Sequence, residues 1–388
     1  LLRSRFITFW NATVQPDPLF SPLKLGALEL KHRVVMAPMT RMRSAQPGNV
    51  PHALNAEYYG QRASEGGLLI TEATDITPQA QGYRGTPGLY TAEQIAGWRA
   101  VTDAVHAKGG VIVSQIWHVG RISHSSLQPN GALPVGPSAV RPAGDHTNAS
   151  GQSVPFETPR ALEENELAGI VADFVAAARN AQEAGFDGVE VHGANGYLLD
   201  QFLRNGSNQR TDRYGGSVEN RARLLLEVVD AVIAVLGAPH VGVRLSPWNG
   251  FNDMFDSEGE ALWNYLAAEL DKRDLAYLHV VEPRSDFTTD LPVNDSAPDA
   301  AGHFKAIFKG SLISTGGYVA ETARAAVADT RAHAIGFGRL FIGNPDLPER
   351  LRIGATLTRQ DRATFYGGDH RGYTDYAFHE DASLSCPA

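Results

Sequence analysis

The chain is poor in the residues that several kinds of chemistry require. It holds one cysteine in 388 residues. That residue, Cys386, can form no disulfide within the chain and no cysteine-ligated metal cluster. A prenylation box needs cysteine fourth from the end, where Ser385 stands. Lysine is scarce as well: Lys24, Lys31, Lys108, Lys272, Lys305 and Lys309 all lie away from the ends of strand-like runs. Imine-forming aldolase and pyridoxal-phosphate chemistry need an amine there, so both lose ground. The formal charge is −9 and no Lys/Arg stripe is present, which disfavours nucleic acid and anionic membrane surfaces as partners. No apolar run approaches a membrane span. The G-x-G-x-x-G and G-x-x-x-x-G-K-[ST] patterns are missing from strand-to-helix turns.

What is present reads as an ordinary globular chain, 43% apolar and 20% charged. Residues 1–20, LLRSRFITFWNATVQPDPLF, carry Arg3 and Arg5 with no acid before Asp17. They loosely fit an organelle transit peptide, and the plainer reading is a disordered lead-in to a cytoplasmic domain at 21–388. Asn11-Ala12-Thr13 matches a glycosylation sequon, a triplet common by chance.

Eight short runs rich in Val and Ile follow: VVMAPM (34–39), LLITEA (68–73), VIVSQIWH (111–118), GVEVHG (188–193), VGVRLSP (241–247), YLHVVEP (277–283), SLISTGG (311–317) and AIGFGRLF (334–341). Apolar on both faces, they read as buried parallel strands. Amphipathic stretches separate them; Leu224, Leu225, Val228, Val229, Val232 and Ile233 form one i, i+3/i+4 stripe. Eight β-then-α units predict an α/β fold, a (β/α)8 TIM barrel, with a doubly wound open sheet as the lesser possibility. LKLGALELKHR (23–33) alternates around Gly26-Ala27 and predicts a hairpin plugging the barrel bottom. The polar, Gly/Pro-rich segment 119–160 falls in the third βα loop, where a cap over the site is expected.

Chemistry in such a barrel sits at the C-terminal strand ends. Paired glycines after strand seven (Gly316, Gly317) and Gly338-Arg339 after strand eight suit a phosphate, though tight turns alone also account for them. A phosphorylated cofactor without a lysine anchor makes flavin mononucleotide attractive, with Gln115 and Arg244 as partners of its ring edge. In VHGANGYLLDQ, His192 and Asn195 stand three apart. One helical turn after the strand would place them together as two donors towards a carbonyl or nitro oxygen. Tyr197, an ordinary phenol of pKa about 10, can act as a general acid. A satisfied core histidine and a capping asparagine are the competing reading. So is a metal-dependent hydrolase or lyase built on His118, His192, Glu72 and Glu282, or a flavoprotein that only stores or senses a ligand.

At these residues the chain resembles the flavin-dependent Old Yellow Enzyme family of ene-reductases. The matching stretches run from APMTRMR (37–43) to FYGGDHRGYTDY (365–376). The most specific is HGANGYLLDQFLRNGSNQRTDRYGGSVENRARLLLEV, supported by GGLLITEAT, SQIWHVGR, RLSPWNGFND, LHVVEPR, STGGY and GFGRLFIGNPDLPERL. The resemblance implies noncovalent FMN at the barrel mouth, reduction of the flavin by NADPH or NADH, and then reduction of an activated alkene. By motif, Pro38, Met39, Thr40, Ala73, Gln115 and Arg244 would hold the ring. Gly316, Gly317, Gly338 and Arg339 would line the phosphate end. His192 and Asn195 would bind the substrate oxygen, Tyr197 would protonate the α-carbon, and Tyr83, Trp117 and Tyr366 would wall the pocket. Thr40 would also touch substrate. The resemblance further implies phenolic ligands, no metal, and a monomer or homodimer.

Overall fold

The structure, a computed structural model, describes residues 17–285 and 293–379. The eight expected runs form the barrel strands Val34–Met36, Leu68–Ile70, Val111–Trp117, Gly188–Gly193, Val241–Leu245, Tyr277–Val281, Leu312–Thr315 and Ala334–Phe337. Each pairs in parallel with the next, and the eighth pairs with the first, so the sheet closes on itself. The fourth strand spans its whole run; the other strands are shorter than theirs because those runs continue past the last ladder bond at the mouth.

Helices pack around the outside, and local sequence explains their ends. In Val218–Leu236, the Ser217 side chain accepts from the Asn220 N–H, and Gly237 at φ +81° stops the last turn. Leu224, Leu225, Val228, Val229 and Val232 of this helix are buried. Each such burial is worth about 1.5–3 kcal/mol.

The bottom of the barrel is closed by the antiparallel hairpin Leu23–Leu25 and Leu28–Leu30. Gly26 turns it at φ +57°, where an added Cβ would lie 2.4 Å from the Pro239 carbonyl oxygen. Leu25, Leu28 and Leu30 cluster with Val35, Leu68, Ile70, Val113, Tyr277, Ile313 and Ala334, which fixes the inward face of the strands. By the two-residue period, Gln115 and Trp117, His279, and Thr315 project inward above that apolar floor.

One boundary, and the regularity of one segment, differ from the sequence reading. Residues 17–20, assigned to a lead-in, belong to the domain: Leu19 is fully buried, its carbonyl accepts from the Arg33 N–H at 2.7 Å, and Asp17 pairs with Arg324 at 2.8 Å. One buried leucine outweighs the polar context that suggested a loose leader. Residues 1–16, including the sequon, lie outside the described residues, as does Cys386. The segment 119–160 is more ordered than its composition implied. It contains an antiparallel pair, Asp145–Thr147 with Ser153–Pro155, and Val135–Gly136 runs parallel to Arg160–Ala161.

Candidate active site

The fourth strand ends at Gly193, and the next helix begins at Leu198. The intervening turn is not the helical turn expected from the His192–Asn195 spacing. Asn195 and Gly196 are both left-handed, at φ +58° and +76°. Asparagine tolerates that region and glycine is at home in it. A buried clamp holds the turn: the Asn195 N–H donates to Ser246 Oγ at 2.7 Å and the Gly196 N–H to Asp200 Oδ2 at 2.8 Å. Asp200 is in turn paired with Arg204 at 2.8 Å, which also reaches the Ser246 carbonyl. At Gly196 an added Cβ would meet Asn252 and Met254 side chains below 3 Å.

The turn sets Tyr197 beside His192, and Trp117 of strand three joins them. The His192 and Tyr197 rings lie edge to face, 5.1 Å apart, and Trp117 touches both, at 5.9 Å from His192 and 4.6 Å from Tyr197. Asp75 fixes that indole by accepting its Nε1–H at 2.7 Å. Tyr83 lies against the Trp117 ring at 6.1 Å, with its hydroxyl 3.3 Å from that of Tyr197. Ala73 joins Trp117 and Tyr197 in the same apolar cluster.

Electrostatics set the protonation states. His192 Nδ1 accepts from the Ala194 N–H at 3.3 Å, which leaves the proton on Nε2. Burial first, then the Arg244 guanidinium and the proximity of the His279 imidazole, push His192 well below its ordinary pKa, so it is a neutral donor at pH 7. Burial, together with the neighbouring Tyr83 phenol, pushes Tyr197 well above 10, so it stays protonated. The buried Asn195 Oδ1 has no hydrogen-bond partner among the described residues.

Across the mouth, Gln115 and Arg244 face the same space from strands three and five. Arg244 is buried with Nε unpartnered. Pro38, Met39 and Thr40, Gly316 and Gly317, and Gly338 and Arg339 leave the ends of strands one, seven and eight, which are neighbours in the ring, and all seven are half-buried. Gly316 and Gly317 are left-handed, at φ +132° and +66°. Beside Gly338 the Met39 sulfur is the nearest atom to an added Cβ, at 3.6 Å. Tyr366, expected as a pocket wall, is 65% exposed, although its phenol lies near enough to Tyr83 and Tyr197 to oppose their ionisation.

Comparison with known proteins decides the family. Residues 18–357 match the model of the NADH:flavin oxidoreductase / NADH oxidase family. The chain is 50% identical over 368 residues to 12-oxophytodienoate reductase 1 of Oryza sativa subsp. japonica, covering 94% of each chain. It is 47% identical over 382 residues to flavin oxidoreductase hxnT of Emericella nidulans, covering 93% of this chain and 98% of the relative. A structure of morphinone reductase in complex with tetrahydroNAD superposes with a TM-score of 0.87 at 52% identity, covering 94% of this chain and 98% of that one. The chain belongs to the Old Yellow Enzyme family.

As an Old Yellow Enzyme it is an FMN-dependent, nicotinamide-driven ene-reductase with the expected TIM-barrel fold. The residues present fit that cofactor. A buried guanidinium with an unfilled N–H and a carboxamide suit the polar edge of a flavin ring, and glycine backbone beside Arg339 suits a phosphate. In the metal reading Glu282 has both carboxylate oxygens occupied, whereas Glu72 has one, its buried Oε1 being without a partner among the described residues. Glu72 accepts from the Arg41 and Met42 N–H groups, and Glu282 from those of Ala300 and Ala301 and from Ser314 Oγ. His118 Nδ1 accepts from the Gly120 N–H. Among the described residues no three His, Cys, Asp or Glu side chains are grouped to hold a metal ion.

Sequence reasoning missed Asp75, Glu190, His279 and Asn252. Glu190 and His279 were visible as ionisable residues inside otherwise apolar strand runs. Hydrophobicity along the runs conceals that signal. Asn252, whose amide donates to the Asn195 carbonyl at 2.9 Å, carries no local signal.

Proposed function

We propose that His192, Asn195 and Tyr197 form the alkene-reducing site and that Gln115, Arg244 and Thr40 hold the flavin ring beneath it. Pro38, Met39 and Ala73 would complete the ring's cradle. Gly316, Gly317, Gly338 and Arg339 would take the phosphate. The observation that carries this reading is the pairing of a neutral Nε2–H donor on His192 with a protonated, buried phenol on Tyr197, their rings 5.1 Å apart. FMN held by these residues and reduced by NADPH or NADH would supply the hydride for the β-carbon of the substrate. The chain's own residues do the rest.

His192 Nε2–H and the Asn195 carboxamide hold the electron-withdrawing oxygen. The orphaned end of that carboxamide presents Nδ2–H once rotated about its terminal bond. These donors stabilise the charge that develops on the oxygen as the β-carbon is reduced. Tyr197 Oη then gives its proton to the α-carbon, so hydrogen has been added across the double bond. The phenolate left behind accepts a hydrogen bond from Tyr83. Trp117 and Tyr83 would exclude water around an α,β-unsaturated carbonyl or nitro compound, with the exposed Tyr366 at the rim, and phenols would occupy the same oxygen site. Two relatives are named as reductases of 12-oxophytodienoate and of morphinone, names that indicate ketones, which agrees with an oxygen-binding pair.

Anaerobic spectra test this reading. Flavin absorbance should bleach with NADPH or NADH and return with cyclohexenone. Tyr197→Phe should slow the return by about 10²–10⁴-fold, the usual worth of general acid catalysis, and leave the bleaching phase within a few-fold. An equal loss in both phases removes Tyr197 from the role of proton donor.

A further inference from the structure

Below the proposed ring site the barrel interior holds a belt of polar groups, each fully or almost fully buried. Gln115 and Glu190 are direct partners in the ladder between strands three and four, and Gln115 Nε2 donates to Glu190 Oε1 at 2.7 Å. The other carboxylate oxygen, Oε2, lies 2.8 Å from His279 Nδ1, and His279 Nε2 lies 2.7 Å from Thr315 Oγ1. Glu190 and His279 come from strands four and six, so strand five lies between them. They meet because strand five presents Gly242 opposite Glu190; a Cβ there would lie 2.4 Å from the Tyr277 ring. Two residues further along the same strand, Arg244 pairs with both His192 and His279 in the ladder.

The hydrogen bonds assign the charges. Burial raises the Glu190 carboxyl, but His279, Arg244 and Gln115 together more than offset it and hold the group below its usual range. Burial, aided by Arg244, pushes His279 below its ordinary value despite the nearby carboxylate. The belt is therefore one buried anion beside a neutral imidazole. His279 donates Nδ1–H to Glu190 and accepts from the Thr315 hydroxyl. An ionised carboxylate only accepts, so it fixes which end of the Gln115 carboxamide turns down. Gln115 keeps its Oε1 and one N–H for whatever lies above.

We propose that Glu190 is a positioning residue for the cofactor, acting through Gln115 and Arg244: its buried carboxylate locks the Gln115 amide and offsets the Arg244 charge, lowering the flavin's reduction potential. No substrate contact is involved. The inference rests on the proposed reading in which Gln115 and Arg244 hold the flavin ring. Reduction adds negative charge to that ring, and in a low-dielectric interior a fixed anion nearby opposes it strongly.

The test measures the midpoint potential of the holoenzyme and the FMN affinity of the apoprotein. Glu190→Gln removes the charge at constant size. It should shift the two-electron reduction equilibrium towards reduced flavin by tenfold or more, about 30 mV. FMN binding should weaken by about fivefold, the net worth of one hydrogen bond. Glu190→Asp keeps the charge and His279→Gln removes only a neutral partner, so both should stay within threefold of the parent equilibrium. A Glu190→Gln potential within threefold of the parent overturns the proposal, as does a tenfold shift in Glu190→Asp or His279→Gln. If Glu190→Gln yields no flavin-loaded protein, those last two variants decide by the same limits. Gln115→Leu separates the two levels of inference. If it leaves FMN affinity unchanged, the ring placement itself is wrong. If it weakens binding while Glu190→Gln leaves the potential unmoved, only the role of Glu190 falls.

Discussion

Replacing Asp75 by asparagine should make the protein more stable at pH 8 and leave it little changed at pH 4. Asp75 is fully buried, with Trp117 Nε1 at 2.7 Å on one oxygen and Thr86 Oγ1 at 2.8 Å on the other. Burial pushes its carboxyl up to about 7; the two donors pull it down, and the nearby Glu72 pushes it up again. In the unfolded chain the group titrates near pH 4. Below pH 4 both states hold the proton and the residue imposes no penalty. Between pH 4 and 7 the unfolded chain releases a proton that the native state keeps, so native stability falls as pH rises. Roughly three pKa units at 1.36 kcal/mol each give a loss of about 4 kcal/mol, complete above pH 7. Asparagine does not titrate. Its Oδ1 can accept from Trp117, and its Nδ2 can donate to Thr86, whose own hydrogen still reaches the Tyr83 carbonyl at 2.9 Å. Thermal or urea unfolding at fixed FMN concentration, run from pH 4 to 8, should show a gap opening in favour of the variant. A variant less stable than the parent at pH 8, or a gap that does not change with pH, refutes the reasoning.

Other outcomes follow from the same site. If Tyr197 gives up its proton as proposed, Tyr83→Phe removes a hydrogen bond to the resulting phenolate, a charged acceptor, and should slow flavin reoxidation by about 10- to 100-fold, measured by stopped-flow with cyclohexenone. His192→Ala deprives a bound oxygen of its donor and should weaken phenol affinity by about 5- to 150-fold, equivalent to roughly 1–3 kcal/mol; an unchanged phenol titration would count against the assignment. Asp200→Ala leaves the buried Arg204 guanidinium unpaired at a cost of about 3–5 kcal/mol. It also frees the Gly196 N–H, so both melting temperature and phenol affinity should drop.

The fold was legible because each barrel strand is buried on both faces, and its apolar run records that burial directly. Punctuation was legible too: Gly26 and Gly237 stand where the chain needs φ above zero. The long-range organisation of the site was not. The Asn195–Gly196 turn depends on Ser246 and Asp200, the first of which lies about fifty residues away, and nothing in the local spacing distinguished a left-handed turn from a helical one. The packing of Leu19 was hidden because a single leucine in a polar, proline-flanked stretch gives no periodicity. Asp75 was silent for a different reason. Its neighbours Thr74 and Ile76 mark a strand-like run, but only the fold reveals that an indole from the third strand needs its carboxylate.

The cap over the mouth is tied down at its base rather than hinged. His146 donates Nε2–H to the Gly82 carbonyl at 2.7 Å, and its ring packs 5.2 Å from Tyr83 on one side and 5.2 Å from Phe156 on the other. Arg121 reaches the Val140 carbonyl from below, and Ser125 is held by Glu157. For protein engineering this divides the insertion into two parts. Asn148–Gln152, the loop of the hairpin, is tied to the rest of the insertion through the Ala149 N–H on Ser126 Oγ at 3.0 Å, and it is the part to exchange with related enzymes as a cassette. A graft that also replaces His146 or Phe156 removes the backing of Tyr83, so a change of substrate preference from such a graft would be confounded with a change in the surroundings of Tyr197.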